Sequence, residues 1–233
     1  MIHKLFNSYK KSLIRLGRSL VFYLIKILDF FFMKNDSFWC FPVCPYSYQF
    51  NGNLRAVFEV VKNDPTIKKI ILIRDKDVYL GGENLLILKH GSISGIYYLI
   101  RSKVILLTHS IWADVGLPLS NKNRLLINLW HGIPLKKIGC VSLGATYKYK
   151  RKHQPYIASA TICSSEIDRL AMSAAFYPLM YSSAWLTGLP RNDFILRRTE
   201  DLPQDFIKQI SAIKSLKKEK KLIFFVPTFR DGQ

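Results

Sequence analysis

KVILLTHS (residues 103–110) and RLLINLWHG (124–132) decide how this chain folds. Each is a short apolar run closed by a polar loop that carries a histidine. Runs of that kind read as strands buried on both faces, as parallel sheets require. Outward from this pair the pattern recurs at KKIILIR (68–74), LLILKH (85–90), ATICSS (160–165) and KLIFFVPTFRD (221–231). Helical spacing fills the gaps: Leu54, Val57, Phe58 and Val61 within 53–62, ISGIYYLIR over 93–101, a helix from Glu166 to about Tyr177, and a basic helix over 203–217. Strands alternating with helices predict parallel βαβ units and the α/β class. NDSFWCFPVCPYSYQFNGN (35–53), rich in Pro, Asn and Ser, reads as an irregular entry loop. In parallel sheets ligands sit at the carboxyl ends of strands. His109, His131, Ser164 and Thr228 all fall at such ends.

Composition narrows the partners. The 233 residues are 49% hydrophobic and 22% charged, as in ordinary globular chains and unlike disordered ones. Lys and Arg number 35 against 16 Asp and Glu, a net charge of +19, which calls for an anionic partner: nucleic acid, an anionic membrane face or a phosphate-bearing substrate. Cys40 and Cys44 form a C-x3-C pair, and Cys140 and Cys163 stand apart. That spacing suits isolated reduced thiols better than a zinc site.

Residues 1–34 mix Lys4, Lys10, Lys11, Arg15 and Arg18 with Leu, Ile and Phe, then run apolar from Leu20 to Met33 with Lys26 and Asp29 interrupting. The run is too short and too charged to span a bilayer. It reads as a basic amphipathic helix lying in the membrane interface. The competing reading is a helix packed on the domain's own core.

The densest chemical signal is Asn128-Leu129-Trp130-His131-Gly132-Ile133-Pro134-Leu135-Lys136-Lys137-Ile138-Gly139. A strand delivers a histidine onto a glycine-proline turn, and two lysines follow. Histidine titrates near neutrality and can take a proton from a hydroxyl. Gly132 permits close approach of a ligand, Pro134 stiffens the turn, and Lys136 and Lys137 place two charges within reach of a phosphate. The plainer alternative is a loop histidine beside solvated lysines. The chain contains neither a G-x-x-x-x-G-K-[ST] nor a G-x-G-x-x-G phosphate loop.

WHGIPLKKIG resembles the signature of the CDP-glycerol glycerophosphotransferases, the teichoic-acid polymerase and primase group. YYLIRSKVILLTHS (97–110), TGLPRND (187–193) and VPTFRD (226–231) are similar to three further segments of that family, in the same order. The resemblance implies a Rossmann-like acceptor-side half of a glycosyltransferase-B-like architecture. It divides the chain into an interfacial helix (1–34), the Rossmann-like domain (35–220) and the start of a donor-nucleotide domain (221–233). It implies transfer of glycerol phosphate from CDP-glycerol to a hydroxyl of a lipid-linked polyol-phosphate or capsule acceptor, releasing CMP. His131 matches the signature histidine, a general base. Gly132, Pro134, Lys136, Lys137, Arg191, Asn192, Asp193 and Arg230 match substrate-binding positions. For Arg191 and Asp193 the alternative is a structural turn or an interdomain salt bridge. No metal and no cofactor beyond the donor substrate is expected.

The family's nucleotide-binding segments follow the P-T-[FW]-R-D segment, and this sequence stops at Gln233. The expectation is a chain inactive on its own, peripheral to the cytoplasmic face of the membrane. Two other readings compete. A basic nucleic-acid-binding module would rest on the charge and the 13% aromatic content, but no RNP, KH or zinc-finger pattern supports it. A non-catalytic peripheral membrane remnant would keep the helix and lose the chemistry.

Overall fold

The computed structural model describes residues 2–45, 49–74, 80–142 and 158–225, with the side chains of the first helix described from Leu16 onward except Arg18. Thr228 and Arg230 lie outside the described residues. The chain divides into two compact units, residues 1–193 and 194–233.

The first unit is a seven-stranded sheet: β1 (Asn35–Pro42), β2 (Lys68–Ile73), β3 (Leu85–Lys89), β4 (Ser102–Leu107), β5 (Leu125–Asn128), β6 (Ala160–Cys163) and β7 (Ala184–Leu186). Every neighbouring pair is parallel, in the order β3-β2-β1-β4-β5-β6-β7. This is the Rossmann-like sheet implied by the resemblance. The chain winds outward from β1 to β3 and then returns to β4 on the other side, so a topological switch point lies between β1 and β4.

Both sheet faces are covered, which explains the unbroken apolar runs. Cys40, Ile70 and Ile105 face one core; Phe41, Ile71 and Leu106, one residue on in each strand, face the other. α1 (Ile2–Phe31) and α3 (Ile93–Arg101) supply Ile25, Leu99 and Ile100 to the first core, and α2 (Gly52–Val61) supplies Leu54 and Phe58 to the second. α4 (Glu166–Ala175) follows β6 and starts at Ser165, whose hydroxyl accepts a hydrogen bond from Asp168 N at 3.1 Å.

Several boundaries differ from the sequence expectations. Residues 35–42, read as loop, form β1 at the sheet's centre. Phe38, Trp39 and Phe41 favour strand, and Pro42 is tolerated because it closes the strand. β4 and β5 are shorter than the apolar runs at 103–110 and 124–132, and Trp130 to Gly132 form a turn in which Trp130 has φ 47°. The expected strand over 221–231 is not formed by 221–225, where Leu222 to Phe225 are exposed; 226–231 lies outside the described residues. The second unit has a helix over Gln204–Lys217, close to the expected 203–217, and an edge-to-face pair of Phe194 and Phe206.

The last turns of α1 are docked rather than free. Asp29 is buried and accepts from the Arg124 guanidinium, from Lys34 Nζ at 3.0 Å and from Ser120 N at 2.8 Å. No helix among the described residues is long and apolar enough to cross a membrane.

Candidate active site

The carboxyl ends of β1, β4 and β5 meet the start of α2 around a cleft of about 270 Å³ at the switch point. Cys44 follows β1, Thr108 and His109 follow β4, and Trp130 and His131 follow β5. Asn51, Gly52 and Asn53 bring the N-terminus of α2 to the same cleft, and its partial positive charge favours an anion there. Arg191, in the single turn Pro190–Asn192, closes the circle.

His131 is exposed at this cleft, not buried behind aliphatic side chains. Its ring stacks on Trp130 (centroids 4.1 Å apart, planes at 29°) and lies 4.6 Å from the His109 ring. Nδ1 sits 3.1 Å from the carbonyl oxygen of Thr108. A carbonyl only accepts, so Nδ1 carries the proton and Nε2 is the basic nitrogen. Desolvation holds the His131 pKa below its ordinary 6.5, and the charges of His109 and Arg191 press it the same way, against the Thr108 hydrogen bond and Asp114. A neutral imidazole with a defined basic nitrogen is a competent proton acceptor.

The turn is fixed from two sides. Arg191 Nη1 donates to the His131 carbonyl at 2.9 Å. Asn53, nearly fully buried, donates from Nδ2 to Leu129 O (2.8 Å) and Trp130 O (3.2 Å), and its Oδ1 accepts from Arg191 N at 3.2 Å. Gly132 has φ +145°, and a Cβ there would stand 3.3 Å from Arg191 Nη2. That region of φ and that spacing both favour glycine.

The structure therefore gathers His131, Gly132 and Arg191. Lys136 and Lys137 are exposed on the following loop, and neither they nor Pro134 are among the residues lining the cleft. Asn192 and Asp193 are exposed at the end of the Arg191 turn and do not line it either. Thr108 and His109 belong to the site and lie in the family-like segment 97–110, and His109 also stood out at a strand end; Asn53 and Asp114 belong to it but carried no motif.

A second cleft of about 140 Å³, mostly apolar, lies on the other side of His109 between Ile111, Trp112, Cys140 and Phe176. Cys44, His109 and Asp114 bring one ligand atom each within 4.8 Å of one another, a mixed donor set of the kind that takes a soft divalent cation. The sequence paired Cys44 with Cys40 instead, and expected no metal ligand.

At the switch point of this parallel α/β sheet an exposed imidazole and a guanidinium meet in one cleft. The family follows from comparison: residues 36–233 match the family model of CDP-Glycerol:Poly(glycerophosphate) glycerophosphotransferase, and the chain belongs to that family. It is 28% identical over 250 residues to a teichoic acid poly(glycerol phosphate) polymerase of Bacillus spizizenii, covering 100% of this chain and 58% of that protein. It is 25% identical over 190 residues to a teichoic acid ribitol-phosphate primase of the same organism, covering 78% and 47% respectively. A solved structure of the wall teichoic acid polymerase TagF superposes with TM-score 0.70 at 20% identity, covering 97% of this chain and 57% of that one, a likeness that carries the fold. The chain thus spans about half the length of the relatives it matches.

Proposed function

We propose that this chain forms the acceptor side of a glycerophosphotransferase and that His131 is its general base. The acceptor is a hydroxyl of a lipid-linked polyol-phosphate or capsule chain, and the donor is CDP-glycerol. His131 Nε2 takes the hydroxyl proton. The freed oxygen forms a bond to the phosphorus of the glycerol phosphate, and the bond from that phosphorus to the bridging oxygen breaks. CMP leaves with the electron pair. Phosphoryl transfer asks the protein mainly for positioning and charge stabilisation. Arg191 offers one charge in the cleft, and Lys136 and Lys137 carry two more on the exposed loop that follows His131.

The observation that carries this reading is the Nδ1 hydrogen bond to Thr108, which assigns the basic role to Nε2 in a ring open to the cleft. In this reading residues 221–233 lead into the donor-nucleotide domain, Arg230 binds substrate there, and the chain alone releases no CMP. α1 holds the protein at the cytoplasmic face of an anionic membrane.

The test fuses the chain to the nucleotide-binding portion of a teichoic acid polymerase and follows CMP release with CDP-glycerol and a lipid-linked primer. The fusion releases CMP, and His131→Ala lowers the rate by about 100-fold or more. A His131→Ala fusion that keeps its rate overturns the role of His131. A chain that releases CMP unaided overturns its dependence on a donor half.

A further inference from the structure

We propose that Cys44, His109 and Asp114 form a binding site for a soft divalent cation, zinc foremost, in the wall of the cleft beside His131. The site stands on its own geometry and does not rest on the proposed reaction.

Three separate stretches of chain bring the donors together. Cys44 follows β1, His109 follows β4, and Asp114 lies in the turn Ile111–Val115. One ligand atom of each lies within 4.8 Å of the other two. Cys44 and Asp114 are buried, and His109 is half-buried. The carboxylate is oriented by the backbone around it. Its Oδ2 accepts from Thr108 N at 2.7 Å and from His109 N at 2.8 Å. Its Oδ1 lies 3.3 Å from His109 Nδ1 and 3.2 Å from Thr108 Oγ1. Behind the ligands, Asn128 Nδ2 donates to the His109 carbonyl at 2.9 Å, and Arg74 Nη2 donates to the Asp114 carbonyl at 2.9 Å. Hydrogen bonds of this kind hold ligands in place for an ion.

The spacing suits a tetrahedral ion. Bonds of about 2.0–2.1 Å at the tetrahedral angle put a nitrogen and an oxygen ligand about 3.3–3.4 Å apart. The 3.3 Å between Nδ1 and Oδ1 matches that edge. A thiolate bond of about 2.3 Å puts the sulfur about 3.6 Å from either atom. A shift of at most about 1.2 Å therefore brings Cys44 to bonding distance. Thiolate and imidazole select zinc over magnesium or calcium, which take oxygen ligands. Cys44 binds as the thiolate, and its proton passes to solvent. His109 binds through Nδ1 as a neutral ring. Coordination exchanges hydrogen bonds that the thiol and the ring make now for bonds to the ion. One thiolate and one carboxylate balance a divalent charge, so the ion sits partly buried without net charge. Three protein ligands leave a fourth tetrahedral position. Cys44 and His109 both line the 270 Å³ cleft, so that position is open to a water or an anion from it.

The experiment uses the untagged 233-residue chain, stripped with a chelator and titrated with cobalt(II), which occupies tetrahedral zinc sites and reports on them by absorption. One cobalt per chain gives the intense visible bands of a tetrahedral ion and a sulfur-to-cobalt charge-transfer band in the near ultraviolet. Zinc displaces the cobalt one for one and raises the melting temperature. Cys44→Ser removes the charge-transfer band, and Cys140→Ser keeps it. His109→Gln weakens zinc binding about 100-fold. Asp114→Asn does the same if it folds; if it does not, Cys44→Ser and His109→Gln carry the test. A chain that gives only the weak bands of octahedral cobalt overturns the proposal. So does a charge-transfer band that survives Cys44→Ser, or zinc binding that is indifferent to His109→Gln. The CMP assay of the fusion reports on the proposed reaction separately, so either reading can fail while the other stands.

Discussion

Asn53 joins the walls of the cleft with one amide. It donates to two carbonyls of the Leu129–Trp130 turn and accepts from Arg191 N, across 76, 77 and 138 residues of chain. Nothing local marks such a residue: an asparagine at the start of a helix reads as a cap. Asp114 was hidden in the same way, with no motif around it, whereas His131 was legible because strand, histidine, glycine and proline stand in one short run. Arg191 was legible only through resemblance, and its work is both mechanical and electrostatic. It holds the His131 carbonyl and its charge helps press the His131 pKa below 6.5. A cation near a base disfavours the protonated form, so removing it raises the pKa. Arg191→Gln therefore moves the midpoint of the His131 imidazole titration, followed by nuclear magnetic resonance, upward. The neutral ring then persists over a narrower range on the acid side. An unchanged or lowered midpoint would falsify the electrostatic part of its role.

The element most misread from sequence is also the most central. β1 lies between β2 and β4, yet Asn35, Ser37 and Pro42 give its ends a loop-like composition. The pattern rules weigh local residues, and a strand hydrogen-bonded on both sides is decided by partners 30 and 65 residues away, as Phe38 with Lys68 and Cys40 with Ile105. β7, three residues long, offers too little period to read. The outer β2 and β3 were legible because their apolar runs are continuous. α1 shows the same limit from the other direction. Asp29 broke an apolar run, and a membrane helix tolerates it poorly; the fold uses it to anchor the helix on Arg124, whose side chain is fully buried. Desolvation lowers the Arg124 pKa, and the Asp29 charge opposes it. Breaking such a pair strands a buried charge. Asp29→Ala accordingly costs about 3–5 kcal/mol in urea unfolding. Replacing both partners with apolar residues, Asp29→Leu with Arg124→Met, recovers most of it. A single variant within about 0.5 kcal/mol of wild type would show that the anchor contributes nothing.

On the scale of the whole molecule, α1 presents two apolar faces. Phe22, Ile25 and Leu28 turn toward the domain. Leu16, Leu20, Tyr23, Leu24, Ile27 and Phe30 are exposed, at spacings that place them on one stripe about 120° wide on the opposite side. A helix fully occupied by its own domain has no use for that second stripe. The basic residues Lys4, Lys10, Lys11 and Arg15 precede it in the same helix, and the whole chain carries +19. We infer that the stripe enters the headgroup region of an anionic membrane and that the charge draws it there. The chain then floats with phosphatidylglycerol vesicles and stays behind with phosphatidylcholine vesicles, and raising the salt weakens binding. Leu20→Glu with Leu24→Glu abolishes flotation while leaving the melting temperature near that of the parent, because both side chains are more than half exposed, at 64% and 55%. Ile25→Glu, at a position 4% exposed, lowers the melting temperature instead. Flotation that survives the double substitution, or that ignores lipid charge, would place the membrane contact elsewhere and return α1 to a purely structural role.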